Sequence, residues 1–343
     1  MKRLFYDGKT ERNRTIAPAD GTAIYLVSIV INLLLQLVAT FVILFLPTAT
    51  DDETTTISLI VMAVLQVGNF VVVYGALKRK KLTLVYAVSP VKWWVYALSF
   101  LCVPLCIIFF VLPANAFVYL LESIGYTFSA SLALKTPVNI VLGIIVTVIL
   151  APVCEELVFR GALLGGLTKK WGIIPALIVS ALCFSLMHMN PEQTVYQFFL
   201  GLVAGYLAIC SRSVIPSMVL HAGNNLIAVL LGFLPQTGGE SSLPSYGVVF
   251  AIVTVALLVV GIVVFFFVGK LFAGKTKRYL LEEEKNLSAL DNAQIENGER
   301  NAPVMGKRTH AIMIAIGLGV CAFMWLIVFL TNMLPVFYAG LAV

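Results

Sequence analysis

Nine apolar runs, each about as long as a membrane-crossing helix, constrain this chain more than any other feature of its sequence. About 20 apolar residues are needed to cross roughly 30 Å of hydrocarbon. Inside hydrocarbon the backbone has no water to bond with, so such runs must form helices. The fold class is therefore predicted to be all-α, a polytopic transmembrane helix bundle of eight or nine spans. The approximate spans are 24–46, 57–77, 94–121, 138–167, 172–189, 194–211, 214–233, 246–269 and 311–334.

The composition agrees with a membrane protein and excludes other classes. Hydrophobic residues make up 60% of the chain and charged residues only 12%, whereas soluble domains are about 45–50% apolar. Once the basic residues are assigned to loops, no basic face or aromatic platform remains for nucleic acid, so no nucleic-acid partner is expected. The six cysteines lie within or at the ends of apolar runs without a CxxC pair, which favours small hydrophobic packing residues over disulfides or a zinc ribbon.

The distribution of Lys and Arg predicts the orientation, because these residues are retained on the cytoplasmic side. Alternating the nine spans places 22 of the 23 Lys and Arg residues on one side and leaves only Lys135 on the other. The acidic loop 51–53 and the Gly/Ser-rich stretch 238–242 then lie outside. We therefore expect a cytoplasmic N-terminus. The polar insert 275–308 reads as a cytoplasmic helical extension followed by a linker.

Three regions are predicted along the chain: spans one to three in residues 1–137, a core of spans four to seven in residues 138–233, and C-terminal spans with the polar insert in residues 246–343. No internal repeat is strong enough to indicate a transporter built from inverted halves.

Ionisable residues inside the spans are the most informative feature for function, since a charge in hydrocarbon is costly. All of them fall in spans four, five and seven, and the remaining spans carry none away from their ends. This concentration predicts a polar site in the middle of the sequence. The five residues are Glu155, Glu156, Arg160, His188 and His221.

The first polar segment contains two adjacent carboxylates and an arginine. Neighbouring helical residues point about 100° apart, so Glu155 and Glu156 cannot both face one substrate. Glu156 and Arg160, at i and i+4, are spaced to pair with each other, which leaves Glu155 to face elsewhere. Pro152 cannot donate to the carbonyl four residues back, so an unpaired backbone acceptor is expected near Glu155. A purely structural Glu–Arg cluster that joins two helices remains an alternative, although a buried ion pair contributes little net stability.

Two further segments place pairs of residues on one helix face. Phe184 and His188 form one i, i+4 pair, and His221 and Asn225 form the other. A single membrane histidine could simply bond to a neighbouring helix, but two histidines with an asparagine beside an unpaired glutamate indicate a shared polar site. Counting about 1.5 Å of rise per residue from the nearest cytoplasmic marker puts these groups within two helical turns of one depth.

These three segments, in this order, resemble the CPBP family of intramembrane proteases, also called the Abi family, which includes the type II CAAX prenyl endopeptidases. The family pattern is EExxxR, then FxxxH, then HxxxN. Here Glu155, Glu156 and Arg160 match the first motif, and the Phe184–His188 and His221–Asn225 pairs match the other two. The resemblance covers approximately residues 138–230.

The resemblance implies hydrolysis of a peptide bond within the membrane. Glu155 would activate water, His188 would position it, and His221 with Asn225 would stabilise the oxyanion. The implied partners are membrane lipids and a membrane-associated substrate, either a lipidated protein or a small peptide precursor. A prokaryotic cytoplasmic membrane is the expected location.

The sequence is also compatible with other catalytic mechanisms and with functions other than proteolysis. Relatives are described both as metalloproteases and as glutamate proteases, so zinc at Glu155, His188 and His221 is the alternative to the expected cofactor-free site. HExxH and GxSxG motifs are absent and no Asp lies in a span, which disfavours zincin, serine and aspartyl chemistry. Cys154 is a poor nucleophile in an apolar span. A non-catalytic scaffold or bacteriocin self-immunity protein could use the same cluster, and a proton-coupled transporter is a weaker alternative.

Overall fold

The computed structural model describes residues 14–45, 50–127, 134–233, 247–273 and 307–341. Within these ranges the chain is helical apart from short connections and two two-residue strands, β1 Arg14–Thr15 and β2 Leu82–Thr83, which pair in parallel. The all-α prediction is confirmed, with one helix at each apolar run. The helices are α1 Pro18–Leu44, α2 Asp51–Arg79, α3 Trp93–Ser123, α4 Pro137–Trp171, α5 Ile173–Met187, α6 Thr194–Ser211, α7 Ile215–Gly232, α8 Gly247–Ala273 and α9 Lys307–Leu341.

Seven of the described helices are long and apolar enough to cross a membrane, fewer than the eight or nine spans predicted. The two others are α5 and α8, whose described apolar stretch is Ile252–Val268. Helix α5 has 15 residues and therefore rises only about 22 Å, less than the roughly 30 Å of the hydrocarbon core. The helix agrees with the predicted run 172–189 to within two residues at each end, but it is shorter than the other predicted spans.

The sequence after α5 explains why this helix ends at Met187. Met189 has a φ of +50°, a left-handed conformation that ends a run of helical hydrogen bonds. Asn190 precedes Pro191, and proline disfavours a helical conformation at the residue before it. The chain then makes a single 3-10 turn, Pro191–Gln193, before α6 begins. His188, the C-cap residue of α5, therefore lies at the end of a short helix.

The outer surface of the bundle is apolar, as a lipid-facing surface must be. Large hydrophobic side chains protrude from the sides of the helices, with Phe41 62%, Ile174 70% and Phe323 62% exposed. A continuous apolar surface of this kind is unfavourable in water. Together with the seven long apolar helices, it shows that the chain is an integral membrane protein.

Two glycines allow neighbouring helices to pack closely against α4 and α5, which carry part of the site. A Cβ on Gly21 of α1 would lie 2.4 Å from the carbonyl oxygen of Ala162 on α4, and one on Gly201 of α6 would lie 3.1 Å from the Cα of Ala181 on α5. Any larger residue would push these helix pairs apart. The short distances allow side chains from neighbouring helices to meet in the interior.

Basic loops meet at one end of the bundle. Lys80, after α2, binds Asp20 of α1 at 3.2 Å. Lys169, near the end of α4, donates to the hydroxyl of Thr15 in β1. These contacts gather loops that the charge distribution assigned to one side. The stretch 238–242 and residues 275–306 of the polar insert lie outside the described residues.

We propose that this basic end is cytoplasmic, and cysteine labelling at the two ends of α3 tests the orientation. Lys92 and Ser123 are both exposed and stand at opposite ends of the helix. In intact cells a membrane-impermeant maleimide is expected to label Ser123→Cys, whereas Lys92→Cys should react only after permeabilisation. The parent chain is the control, since its six cysteines are buried. Reversed labelling would contradict a cytoplasmic N-terminus.

Candidate active site

The predicted pairing of Glu156 with Arg160 is confirmed. Arg160 Nη1 donates to Glu156 Oε1 at 2.6 Å, and the two side chains are 1% and 0% exposed, respectively. Arg160 Nη2 also donates to the carbonyl oxygen of Gly201 on α6 at 3.2 Å. Its guanidinium lies 4.3 Å from the ring centroid of Phe184, a distance that allows a cation–π contact. Arg160 therefore links α4 to both α5 and α6.

Helix α4 is not a regular α-helix around these residues. Two stretches, Ile144–Leu150 and Leu157–Leu164, have π-helical hydrogen bonding, and they flank the α-helical turn Ala151–Glu156 that carries both carboxylates. Such π-helical turns are frequent at functional sites. The additional residue in each turn rotates the following side chains and changes which backbone groups are paired.

Glu155 is placed differently from its neighbour. Its side chain is 13% exposed, whereas Glu156 is fully buried. One oxygen, Oε1, accepts a hydrogen bond from Gln66 Nε2 of α2 at 2.7 Å. The other, Oε2, lies 4.0 Å from His221 Nε2, too far for a direct hydrogen bond. Glu155 therefore keeps one oxygen available beside an imidazole, as the different directions of the two carboxylates predict.

His221 joins the cluster through Glu156. Its Nδ1 lies 3.0 Å from Glu156 Oε1, and since a carboxylate accepts, Nδ1 carries the proton. The opposite nitrogen, Nε2, faces Glu155. His221 is 2% exposed, so this hydrogen bond also fixes the orientation of a buried ring.

His188 is connected to the same polar cluster through its contacts with Phe184. His188 Nδ1 donates to the carbonyl oxygen of Phe184 at 2.8 Å, because a carbonyl accepts and cannot donate. In the neutral ring Nε2 is then an acceptor. The ring of Phe184 packs edge-to-face on His188 and on His221, with centroid separations of 4.9 and 5.5 Å. The FxxxH phenylalanine thus supports the arginine and both histidines.

Asn225 lies on α7 one turn beyond His221 but bonds elsewhere. Its Nδ2 donates to the carbonyl oxygen of Thr147 on α4 at 2.8 Å. A carbonyl without a helical partner is found before Pro152, in a different register from the expected one: it lies five residues before Pro152, rather than four. The π-helical hydrogen bonding of this stretch accounts for the difference.

The zinc alternative requires three ligands to meet at one point. Across the part of the chain that the structure describes, no group of three His, Cys, Asp or Glu side chains is arranged to hold a metal ion. The Nδ1 atoms of His188 and His221 bond to Phe184 and Glu156, which leaves Nε2 of each ring unengaged, as in many metal-binding histidines. The observation against zinc is therefore the lack of three converging ligand groups among the described residues, and no step is assigned to a metal.

Two polar residues of α2 join the site although they lie outside the three predicted segments. Gln66 contacts Glu155, and Asn69, one turn further along α2, is 0% exposed. Neither amide atom of Asn69 has a hydrogen-bond partner among the described residues. Both interrupt an otherwise apolar run at i, i+3 spacing. Buried amides are costly in hydrocarbon, so this spacing was a usable signal for a polar face on α2.

The fold and the site together define an integral membrane helix bundle with a buried ionic centre assembled from α2, α4, α5 and α7. Residues 137–227 match the family model for Rce1-like type II CAAX prenyl endopeptidases. This match supports the CPBP/CAAX protease family, and it confirms the resemblance that the three motifs carry.

A second comparison covers a similar fraction of the chain. An uncharacterized protein of Mycoplasma capricolum subsp. capricolum is 33% identical over 99 residues, which is 27% of this chain and 28% of that protein. The match thus spans little more than a quarter of the length of this relative. No solved structure gives a significant match to the chain.

Proposed function

We propose that the chain is an intramembrane endopeptidase in which Glu155 activates the water that attacks a peptide bond. The observation that carries this proposal is the unequal placement of the two adjacent carboxylates. Glu156 is fully buried and bonded to Arg160 and His221. Glu155 retains an oxygen that faces His221 without a direct bond. A general base needs a positioned carboxylate that is not already consumed by an ion pair.

The geometry around Glu155 suits a hydrolytic water. Glu155 Oε2 has no direct bond to His221 Nε2, which lies 4.0 Å away, so a water can bind to this carboxylate oxygen at about 2.8 Å. Gln66 holds the other oxygen of Glu155 at 2.7 Å and so limits rotation of the carboxylate. In this proposal His188 assists by accepting from water through Nε2.

His221 and Asn225 are proposed to stabilise the oxyanion. An amide nitrogen carries two hydrogens, and the Thr147 carbonyl takes one of those on Asn225, which leaves the other for the substrate. His221 can donate from Nε2 only as the imidazolium, since Nδ1 already donates to Glu156. Glu155 and Glu156 would then balance the positive charges of Arg160 and His221, and the buried site would be neutral overall.

The substrate is proposed to be a membrane-associated protein or peptide, with a prenylated CAAX terminus as the first class to examine. The match to a CAAX endopeptidase model over residues 137–227 supports this choice. We place the catalytic core in residues 138–233 and the protein in a prokaryotic cytoplasmic membrane.

A cleavage assay on the purified full chain in lipid vesicles tests the proposal. The probes are a quenched fluorescent peptide that ends in an S-farnesylated CAAX sequence and the same peptide without the lipid. The wild type is expected to cut at least the farnesylated probe. A strong chelator should change the rate less than about twofold, because a base such as Glu155 needs no metal.

Two outcomes would contradict this function in different ways. Binding of both probes without any cleavage would indicate a scaffold or self-immunity protein. Stoichiometric zinc in the active protein, with inactivation by the chelator that added zinc reverses, would establish a metalloprotease. Lipid-vesicle preparations of the Glu155→Gln variant are the blank for both probes.

A further inference from the structure

A chain of three hydrogen bonds leads to Asn225 from outside the three motifs. The hydroxyl of Tyr196, on α6, donates to Asn224 Oδ1 at 2.6 Å. Asn224 Nδ2 donates to Asn225 Oδ1 at 3.3 Å. Asn225 Nδ2 in turn donates to the Thr147 carbonyl at 2.8 Å. These three hydrogen bonds therefore connect α6, α7 and α4.

The Thr147 carbonyl is available because of the π-helical stretch and a proline. In this stretch the N–H of Ala151 donates to the carbonyl of Val146, five residues back. The next donor in the same register would be residue 152, which would serve Thr147. Residue 152 is proline, which has no N–H, so the Thr147 carbonyl is left to accept from another helix.

The Thr147 carbonyl determines the direction of each of the three hydrogen bonds. A carbonyl only accepts, so the Asn225 amide must turn its NH2 towards Thr147 and its oxygen towards Asn224. Asn224 must then present its own NH2 to that oxygen, and its oxygen faces Tyr196, which donates. An asparagine amide can otherwise rotate by 180° and exchange its donor and acceptor sides. The two ends of the chain therefore hold Asn225 in one orientation.

We propose that Tyr196 and Asn224 are positioning residues that orient the Asn225 amide for the oxyanion, with Pro152 keeping the opposing Thr147 carbonyl available. The inference rests on the proposed function and deepens it. Tyr196 and Asn224 line a cavity of about 280 Å³ between α3, α6 and α7.

Tyr196→Phe tests one end of the chain. Removing the hydroxyl leaves Asn224 free to rotate, so the turnover number of the farnesylated probe should fall about 10-fold, the scale of one neutral hydrogen bond, with KM changed less than twofold. Tyr206→Phe is the matched control on the same helix, since the Tyr206 hydroxyl lies 3.5 Å from the Phe266 carbonyl in an exposed contact. The control should retain wild-type turnover.

Pro152→Ala tests the other end and separates positioning from stability. The new N–H would compete with Asn225 for the Thr147 carbonyl, so turnover should again fall about 10-fold. Removing a proline from a helix interior does not weaken the helix, and the melting temperature should be maintained or raised. Pro104→Ala is the control, because Pro104 lies inside α3 with an exposed side chain. A merely structural role for Pro152 predicts that turnover and melting temperature change together.

The possible results are distinguishable. Wild-type turnover in both Tyr196→Phe and Pro152→Ala, in protein that cleaves the probe, would overturn the positioning proposal and leave the protease intact. An equal loss in Pro104→Ala or Tyr206→Phe would also overturn it. A wild type that cleaves neither probe would refute the proposed function and the inference that rests on it.

Discussion

Glu155→Gln should lower cleavage of the farnesylated probe by about 1000-fold or more while folded protein remains in the membrane, because a positioned general base contributes about 100- to 10,000-fold. The substitution removes the basic oxygen but keeps the size of the side chain. The bond from Gln66 Nε2 can also persist, since the new amide oxygen accepts from the same donor that Glu155 Oε1 accepts from at 2.7 Å. The fold should therefore tolerate the change, and the measurements are turnover in vesicles and the yield of monodisperse protein.

Glu156→Gln is the matched control, because the same chemical change falls on the neighbouring residue. It would leave Arg160 without its carboxylate while only 1% exposed, and an uncompensated buried charge costs about 3–5 kcal/mol. The expected loss is therefore mainly in folded yield. Equal proportional losses of activity and yield in the two variants would show that the carboxylates do not have the separate roles assigned here.

The local parts of the site could be predicted from the sequence. Glu156 and Arg160 lie on one helix, where i, i+4 spacing determines contact, and their pair forms as expected. The helices follow the apolar runs for the same reason, since hydropathy and helix length are local properties. The end of α5 also has a local cause, because Asn190 and Pro191 follow directly after the apolar run.

The parts that join distant segments could not be predicted. Gln66 and Glu155 are 89 residues apart in the sequence, and periodicity does not show which helices become neighbours. Asn225 was expected to act with His221 on one face, but its bond goes to Thr147, across 78 residues. That bond depends on a π-helical register that hydropathy does not reveal. Pro152 was the one visible signal for an unpaired carbonyl there.

Asn225→Ala is the second change with a large expected effect, a loss of about 100-fold in turnover, the scale for removing one oxyanion donor. The loss should appear in kcat more than in KM, because the donated bond strengthens only as negative charge develops on the substrate oxygen. A bond from the Asn225 amide is neutral, so it can act in the buried site without adding charge. Kinetics with the farnesylated probe in vesicles provide both constants.

Asn32→Ala is the control for losing a buried asparagine in a membrane helix. Asn32 is 4% exposed, and its Nδ2 donates to the Ser28 carbonyl within α1 at 2.7 Å, so no group of the site depends on it. We expect its turnover to stay within about twofold of the wild type, since an intrahelical hydrogen bond of this kind affects stability and not charge development. If Asn225→Ala behaved like Asn32→Ala, the oxyanion role would have to pass to His221 alone, which can donate from Nε2 only as the imidazolium.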